Sequence, residues 1–108
     1  MRWYDDLYLG EKIAKKKNKI IYKIKDRKFL PNTYVIILPR NDRNTLETIP
    51  AEILKQKYYR KVEIVIVGLA KGKEEAYKVM QEIIDDCYEQ TGDVNVKEFI
   101  INQMPILV

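Results

Sequence analysis

The side chains of this 108-residue chain that could do chemistry are defined first by absence: there is no histidine, and one cysteine, Cys87. Without histidine there is no imidazole triad, no imidazole metal site and no general base of the commonest kind near neutral pH. Lysine, carboxylate, tyrosine and one thiol remain. Cys87 falls on the apolar arc of a predicted helix near its C-terminal end, where the dipole disfavours a thiolate, so a core position is expected. The acid pairs Asp5-Asp6 and Asp85-Asp86 suggest an acid–base couple or cation ligands. Neighbours on a helix, however, point about 100° apart, and no third oxygen ligand stands at a metal-binding spacing. A helix cap and a solvated face are the expected roles. No catalytic residue, metal ligand or cofactor is assigned.

Three stretches bear on anions. GLAKGKEEA, Gly68 to Ala76, joins a predicted strand to a predicted helix, the place of a phosphate loop, but it has three residues before Gly-Lys where a Walker loop has four. Glu74 and Glu75 already answer the dipole of that helix. The second feature pairs two loops. Arg40, Asn41, Asp42, Arg43 and Asn44 follow one predicted strand, and Lys71, Gly72 and Lys73 follow the other. If those strands are parallel, both loops meet at the sheet edge where open α/β sheets bind ligands. Arg40, Asn41, Arg43, Asn44, Lys71, Gly72 and Lys73 are then the candidate anion site, suited to a phosphate or carboxylate.

The third is KIAKKKNKIIYKIK, residues 12 to 25, with seven lysines and no acid. Projected as a helix, Ile13, Ala14, Ile20, Ile21 and Ile24 share an arc of about 100°, while Lys12, Lys15, Lys19 and Lys23 form a separate ridge with Lys16 at its border. Lys17 alone projects into the apolar arc. A solvated face is the first expectation for this ridge. Nucleic-acid binding through Lys12, Lys15, Lys16, Lys19 and Lys23 is the alternative, although an all-lysine ridge lacks the arginine forks and exposed rings that recognition favours.

The elements that must position these groups read as follows. Asp5 or Asp6 caps a helix beginning near Leu7, or Gly10 marks its true start, and the helix runs to about Lys25. TYVIIL, Thr33 to Leu38, and VEIVIV, Val62 to Val67, are β-branched runs that predict buried strands, the second ending at Gly68. Pro50 suits the first turn of a short helix to about Lys57, unless residues 46–49 extend as an edge strand. Gly72 to Gln90 is the clearest helix, with Ala76, Val79, Met80, Ile83 and Cys87 at helical spacing, acids in its first turn and Gly92 after its end. DVNVKEFII is read as a strand from Val94, with a terminal helix as the alternative. The predicted class is α/β, a small sandwich with a three- to four-stranded, at least partly parallel sheet in the order α-β-α-β-α-β. If residues 45–49 pair back on the first strand, the sheet is mixed and the fold α+β.

Length and composition fit one domain, residues 1–108, with no repeat or linker. No apolar run is long enough to cross a bilayer and the N-terminus has no signal-peptide pattern, so a cytoplasmic protein with no membrane association is expected. Residues 1–61 hold 16 Lys and Arg against 7 acids, and residues 62–108 hold 4 against 9. Acids on the Gly72–Gln90 helix lie opposite its apolar face. A basic ridge in one copy meeting that face in another, and the apolar tail Ile106, Leu107 and Val108, suggest a homo-oligomer.

YVIILPRND, together with NTLETIPAEILKQKYYRKVEIVIVGLAKGKEEA, resembles short Gram-positive bacterial proteins of unassigned function. A lysine-rich first helix, a YYRK stretch and a GLA-containing strand end recur among them. The resemblance spans nearly the whole chain and implies no catalytic residue, cofactor or substrate. The residues therefore lead to a small, non-catalytic, self-associating binding module, with nucleic-acid binding and an anionic-ligand enzyme or sensor as alternatives.

Overall fold

The two β-branched runs make the centre of the sheet. In the computed structural model, which describes residues 1–38 and 46–104 and only the backbone of Arg60, they become β2 (Thr33–Ile37) and β4 (Val65–Lys71). Val35, Ile36, Ile37, Ile66, Val67 and Leu69 are completely buried, as β-branched and leucine side chains between two packed layers should be. The pair is antiparallel: Thr33 opposes Lys71, and Ile37 opposes Ile66. The parallel pairing on which the two-loop anion site depends is thus overturned. The partner of a buried strand is set by the whole chain, and neither run carries a local mark of direction.

Two further strands complete the sheet. Residues 46–49 do extend: β3 (Glu47–Pro50) pairs antiparallel with β2, and β1 (Arg2–Leu9) pairs parallel with β4. The strand order is β1-β4-β2-β3. The fold is α/β with a four-stranded, mixed, partly parallel sheet, as the predicted class allowed, but its parallel pair is β1 with β4. The N-terminal segment is a strand where a helix was expected, because RWYDDLYL finds its hydrogen-bond partners on β4. Asp5 and Asp6 cap nothing. Tyr4 to Leu7 stand opposite Val67 alone, so β1 swings out in a wide irregularity that exposes both aspartates.

Helices cover both faces. Gly10 is the true start of the first helical segment, its carbonyl accepting from the amides of Ile13 and Ala14. A 3-10 turn, Ala14–Lys16, leads into α1 (Lys17–Lys25), which lies on the same face as a second 3-10 turn, Ala51–Lys55. Ile13, Ile20 and Ile24 pack there with Leu30 and Leu54 against Val35, Ile37 and Leu69. The 3-10 turn changes the rotation per residue, so Lys17 sits at the boundary of the apolar face, half-buried. The short helix expected from Pro50 is that second 3-10 turn, followed by a helix, α2 (Lys57–Lys61).

On the other face, α3 (Lys73–Thr91) buries Ala76, Val79, Ile83 and Cys87 and stops at Gly92 in the left-handed region. The last segment is a helix, α4 (Val96–Gln103), correcting the expected strand. Asn95 and Glu98 explain it: the Asn95 side chain accepts from the Glu98 amide at 3.2 Å and donates to the Glu98 carboxylate at 3.2 Å, a reciprocal cap. Among the described residues, no helix is long and apolar enough to cross a membrane.

Strand β4 runs through Gly68 instead of ending there. Ile36 opposes Gly68 while Ile37 opposes Ile66, so Val67 is the extra residue of a bulge. A methyl group on Gly68 would lie 3.0 Å from Val79 Cγ1 and 3.1 Å from the Tyr8 carbonyl oxygen. Gly68→Ala is therefore expected to push α3 and β1 apart and to destabilise by about 1–3 kcal/mol, measured by urea unfolding. An unchanged midpoint would contradict this packing.

Candidate functional site

Two parallel neighbouring strands whose following helices leave to opposite faces create a crevice at their carboxyl ends. β1 and β4 do this: the chain passes from Leu9 through Gly10 to α1 on one face, and from Lys71 through Gly72 to α3 on the other. The crevice is an open groove of about 280 Å³ lined by Leu9 to Lys12 from the first turn and by Glu74, Glu75, Lys78, Val79 and Glu82 from α3.

Two of its backbone donors are already used. The Glu75 carboxylate accepts from the Lys71 amide at 3.0 Å and from the Lys12 amide at 3.2 Å, so one side chain joins the two strand ends. It lies directly over Gly10, where a β-carbon would collide with Glu75 Oε1 and Cδ. Gly10 is there because a carboxylate needs its space. The groove also carries Glu11, Glu74 and Glu82 against Lys12 and Lys78. An incoming anion would have to displace an internal carboxylate and approach three more acids. The geometry at this edge thus disfavours an external phosphate.

Lys71, Gly72 and Lys73 are placed accordingly. The Lys71 ammonium donates to the Pro31 carbonyl at 3.3 Å, Gly72 adopts φ 83° and donates its amide to the Asn32 carbonyl at 2.8 Å, and Lys73 is an exposed first residue of α3. They neighbour the start of β2, whereas Leu38, just after the end of β2, donates to the Val65 carbonyl at the opposite end of β4. Arg40, Asn41, Arg43 and Asn44 lie outside the described residues, as do Ile106, Leu107 and Val108.

The remaining chemical groups have structural partners. Cys87 is buried, its thiol donating to the Asp93 carbonyl at 3.3 Å. Asp85 is exposed, but Asp86 accepts the Tyr8 hydroxyl at 2.7 Å, tying α3 to β1. Burial, and then that hydrogen bond to Asp86, push the Tyr8 phenol well above its ordinary value of 10.0. Tyr4, stacked on Tyr8 with ring centroids 6.4 Å apart, is also raised, chiefly by burial. No group of three acids or cysteines able to hold a metal ion exists among the described residues.

The basic residues are arranged differently. Lys12, Lys15, Lys16 and Lys19 are exposed and Lys23 half-exposed, along the solvent side of the first helical segment. The surrounding layer is basic too. The stretches that build it, residues 11–32 and 51–63, hold 13 Lys and Arg against 4 acids, whereas residues 73–104, the opposite layer, hold 3 against 8. Aromatic side chains stand among these cations: Tyr22 is 62% exposed, Phe29 70% and Tyr58 54%. The Lys55 ammonium lies 5.7 Å from the Phe29 ring centroid, and that of Lys25 lies 5.7 Å from the Trp3 ring. Helix periodicity finds the lysine ridge, but the pairing of Phe29 with Lys55 and of Trp3 with Lys25 appears only in the folded chain. No family model, curated protein or solved structure matches this chain, so the reading of the site rests on its own residues.

Two outcomes follow from the Glu75 latch and the Tyr8 bond. Gly10→Ala should cost about 1–3 kcal/mol in the parent protein and much less in a Glu75→Ala background, with a coupling of at least about 1 kcal/mol in a double-mutant cycle. Additive effects would mean that Gly10 does not serve the carboxylate. The Tyr8 contribution is complete below the unfolded value near 10 and is lost progressively as pH rises above it, because only the folded chain resists deprotonation. Denaturant titrations across alkaline pH should show a shallower stability loss for Tyr8→Phe than for the parent; parallel curves would contradict the bond.

Proposed function

We propose that this protein is a non-catalytic binding module whose basic helical layer docks on a polyanion. The observation that carries the reading is the separation of charge by the sheet, with the cations of α1, the second 3-10 turn and α2 on one face and the acids of α3 on the other. A polyanion gains from such a surface mainly by releasing counterions, and it requires no pocket. Binding is favoured over catalysis because the most reactive side chains already have structural partners: Glu75 holds two amides, Asp86 holds Tyr8, and the Cys87 thiol is buried.

Self-association, the partner expected from the sequence, fits this arrangement less well. A closed two-fold dimer through either helical layer would oppose like charges, while base-on-acid stacking uses opposite faces and propagates without closing. The sheet edges are also guarded. β1 is bulged with two exposed aspartates, and β3 has four residues and ends in proline. The anionic-ligand enzyme or sensor is less favoured, since in the described crevice Glu75 already accepts the Lys12 and Lys71 amides and Glu11, Glu74 and Glu82 line it too.

Titration of labelled duplex DNA by fluorescence anisotropy should give an affinity that falls with salt on a log–log slope between about −3.5 and −5.5, as expected for four to six phosphates neutralised. Replacing Lys15, Lys19 and Lys23 together by Gln should flatten that slope by about 2 to 3 while circular dichroism stays unchanged. No binding at about 50 mM salt, or a slope unaffected by the triple substitution, would overturn the proposal.

A further inference from the structure

We infer that the polyanion is a single-stranded nucleic acid, held by the lysines of the basic layer through its phosphates and by Phe29, with Tyr22 and Tyr58, through its bases. The inference rests on the polyanion reading above and adds the rings to it. Phe29 is the most exposed large apolar side chain of the described residues, at 70%, and it stands in the connection between α1 and β2. A phenyl ring left in water forgoes the stabilisation that burial would give, and what the chain sets beside it is a cation rather than apolar packing.

The ring and its cation are held as a unit. Glu52 accepts the amide of Leu30, next to Phe29, at 2.6 Å, and its other oxygen accepts the Lys55 ammonium at 2.8 Å. One carboxylate thus fixes both the backbone that carries the ring and the ammonium 5.7 Å from its centroid. Both the Lys55 bond and the Leu30 amide keep the Glu52 carboxyl below its ordinary value, so it is ionised at neutral pH. A nucleotide offers a planar base and an anionic phosphate a few ångströms apart, and such a ring–ammonium pair is complementary to both. Trp3 with Lys25 repeats the combination on the same layer, and Tyr58 stands edge-on to Tyr59 beside it.

The chemistry of the layer separates this partner from others. A duplex presents phosphates but hides its base faces, so the rings would gain nothing. An anionic lipid surface favours aliphatic side chains that insert below the headgroups. Around α1, the second 3-10 turn and α2, the exposed large apolar side chains among the described residues are Tyr22, Phe29 and Tyr58, all aromatic, whereas the exposed aliphatics are Met1 at the start of β1 and Val94 and Ile101 around α4. Base–aromatic stacking tolerates any sequence, so the expected binding is non-specific or only weakly selective.

The experiment is fluorescence anisotropy with an oligothymidylate of about 12 nucleotides, an abasic sugar–phosphate strand of equal length and the corresponding duplex, with Trp3 emission followed in parallel. Oligothymidylate should bind more tightly than the abasic strand and quench Trp3, the one tryptophan of the chain. Phe29→Ala should weaken oligothymidylate binding by about 5- to 100-fold while leaving the abasic strand unchanged. Phe29→Trp should restore it. Tyr77→Ala removes an equally exposed ring from the acidic helix α3 and should have no effect. If the abasic strand binds as well as oligothymidylate and Phe29→Ala changes neither, the stacking inference fails while the polyanion reading stands. If no strand binds at low salt, both fail.

Discussion

The pairing of β1 with β4 is the constraint on which the rest of this molecule depends. It places the N-terminal strand parallel to β4, with Arg2 opposite Val65 and Leu9 opposite Leu69. The helical segment that follows β1 then packs on one face and α3, which follows β4, packs on the other. Because the first half of the chain is basic and the second acidic, a choice of strand partner becomes a separation of charge in space. Lys15, Lys16 and Lys19 of the basic layer face solvent, while Lys12 shares the groove with the acids of α3.

The same pairing creates an open groove whose two strand ends the chain itself joins. Glu75 spans the two strand ends and takes the amides of Lys12 and Lys71, while Gly10 leaves room for it. At the other end of this interface Tyr8 reaches Asp86 across to α3, and Gly68 allows α3 and β1 to approach β4 closely. These polar and steric devices are all directed inward. The lysine layer and its exposed rings face water, as do Tyr77 and Tyr88 on α3.

Much of this was legible locally. Helix α3 was written in its apolar spacing, and Ala76, Val79, Ile83 and Cys87 are all buried as that spacing requires. The β-branched runs announced β2 and β4. What was not legible depended on partners. RWYDDLYL alternates poorly because four of its residues bulge opposite one, so its strand character appears only against β4. The direction of β2 relative to β4 left no local trace, so the parallel pairing assumed for the anion site is corrected, while Arg40–Asn44 lie outside the described residues. Lys17, which helical projection places in the apolar arc, is half-buried just after the 3-10 turn. For α4 the signal was present and overlooked: Asn95 followed by Glu98 is a helix start.

Backbone amide chemical shifts, followed during titration with a single-stranded oligonucleotide, test the central claim that the sheet divides this chain into one binding layer and one inert layer. The account predicts perturbations confined to Ala14–Phe29 and the 51–61 region, with Trp3 alongside and the amides of α3 unmoved. Perturbations centred on α3, or on the Gly10–Lys12 and Lys71–Glu75 turns, would contradict it.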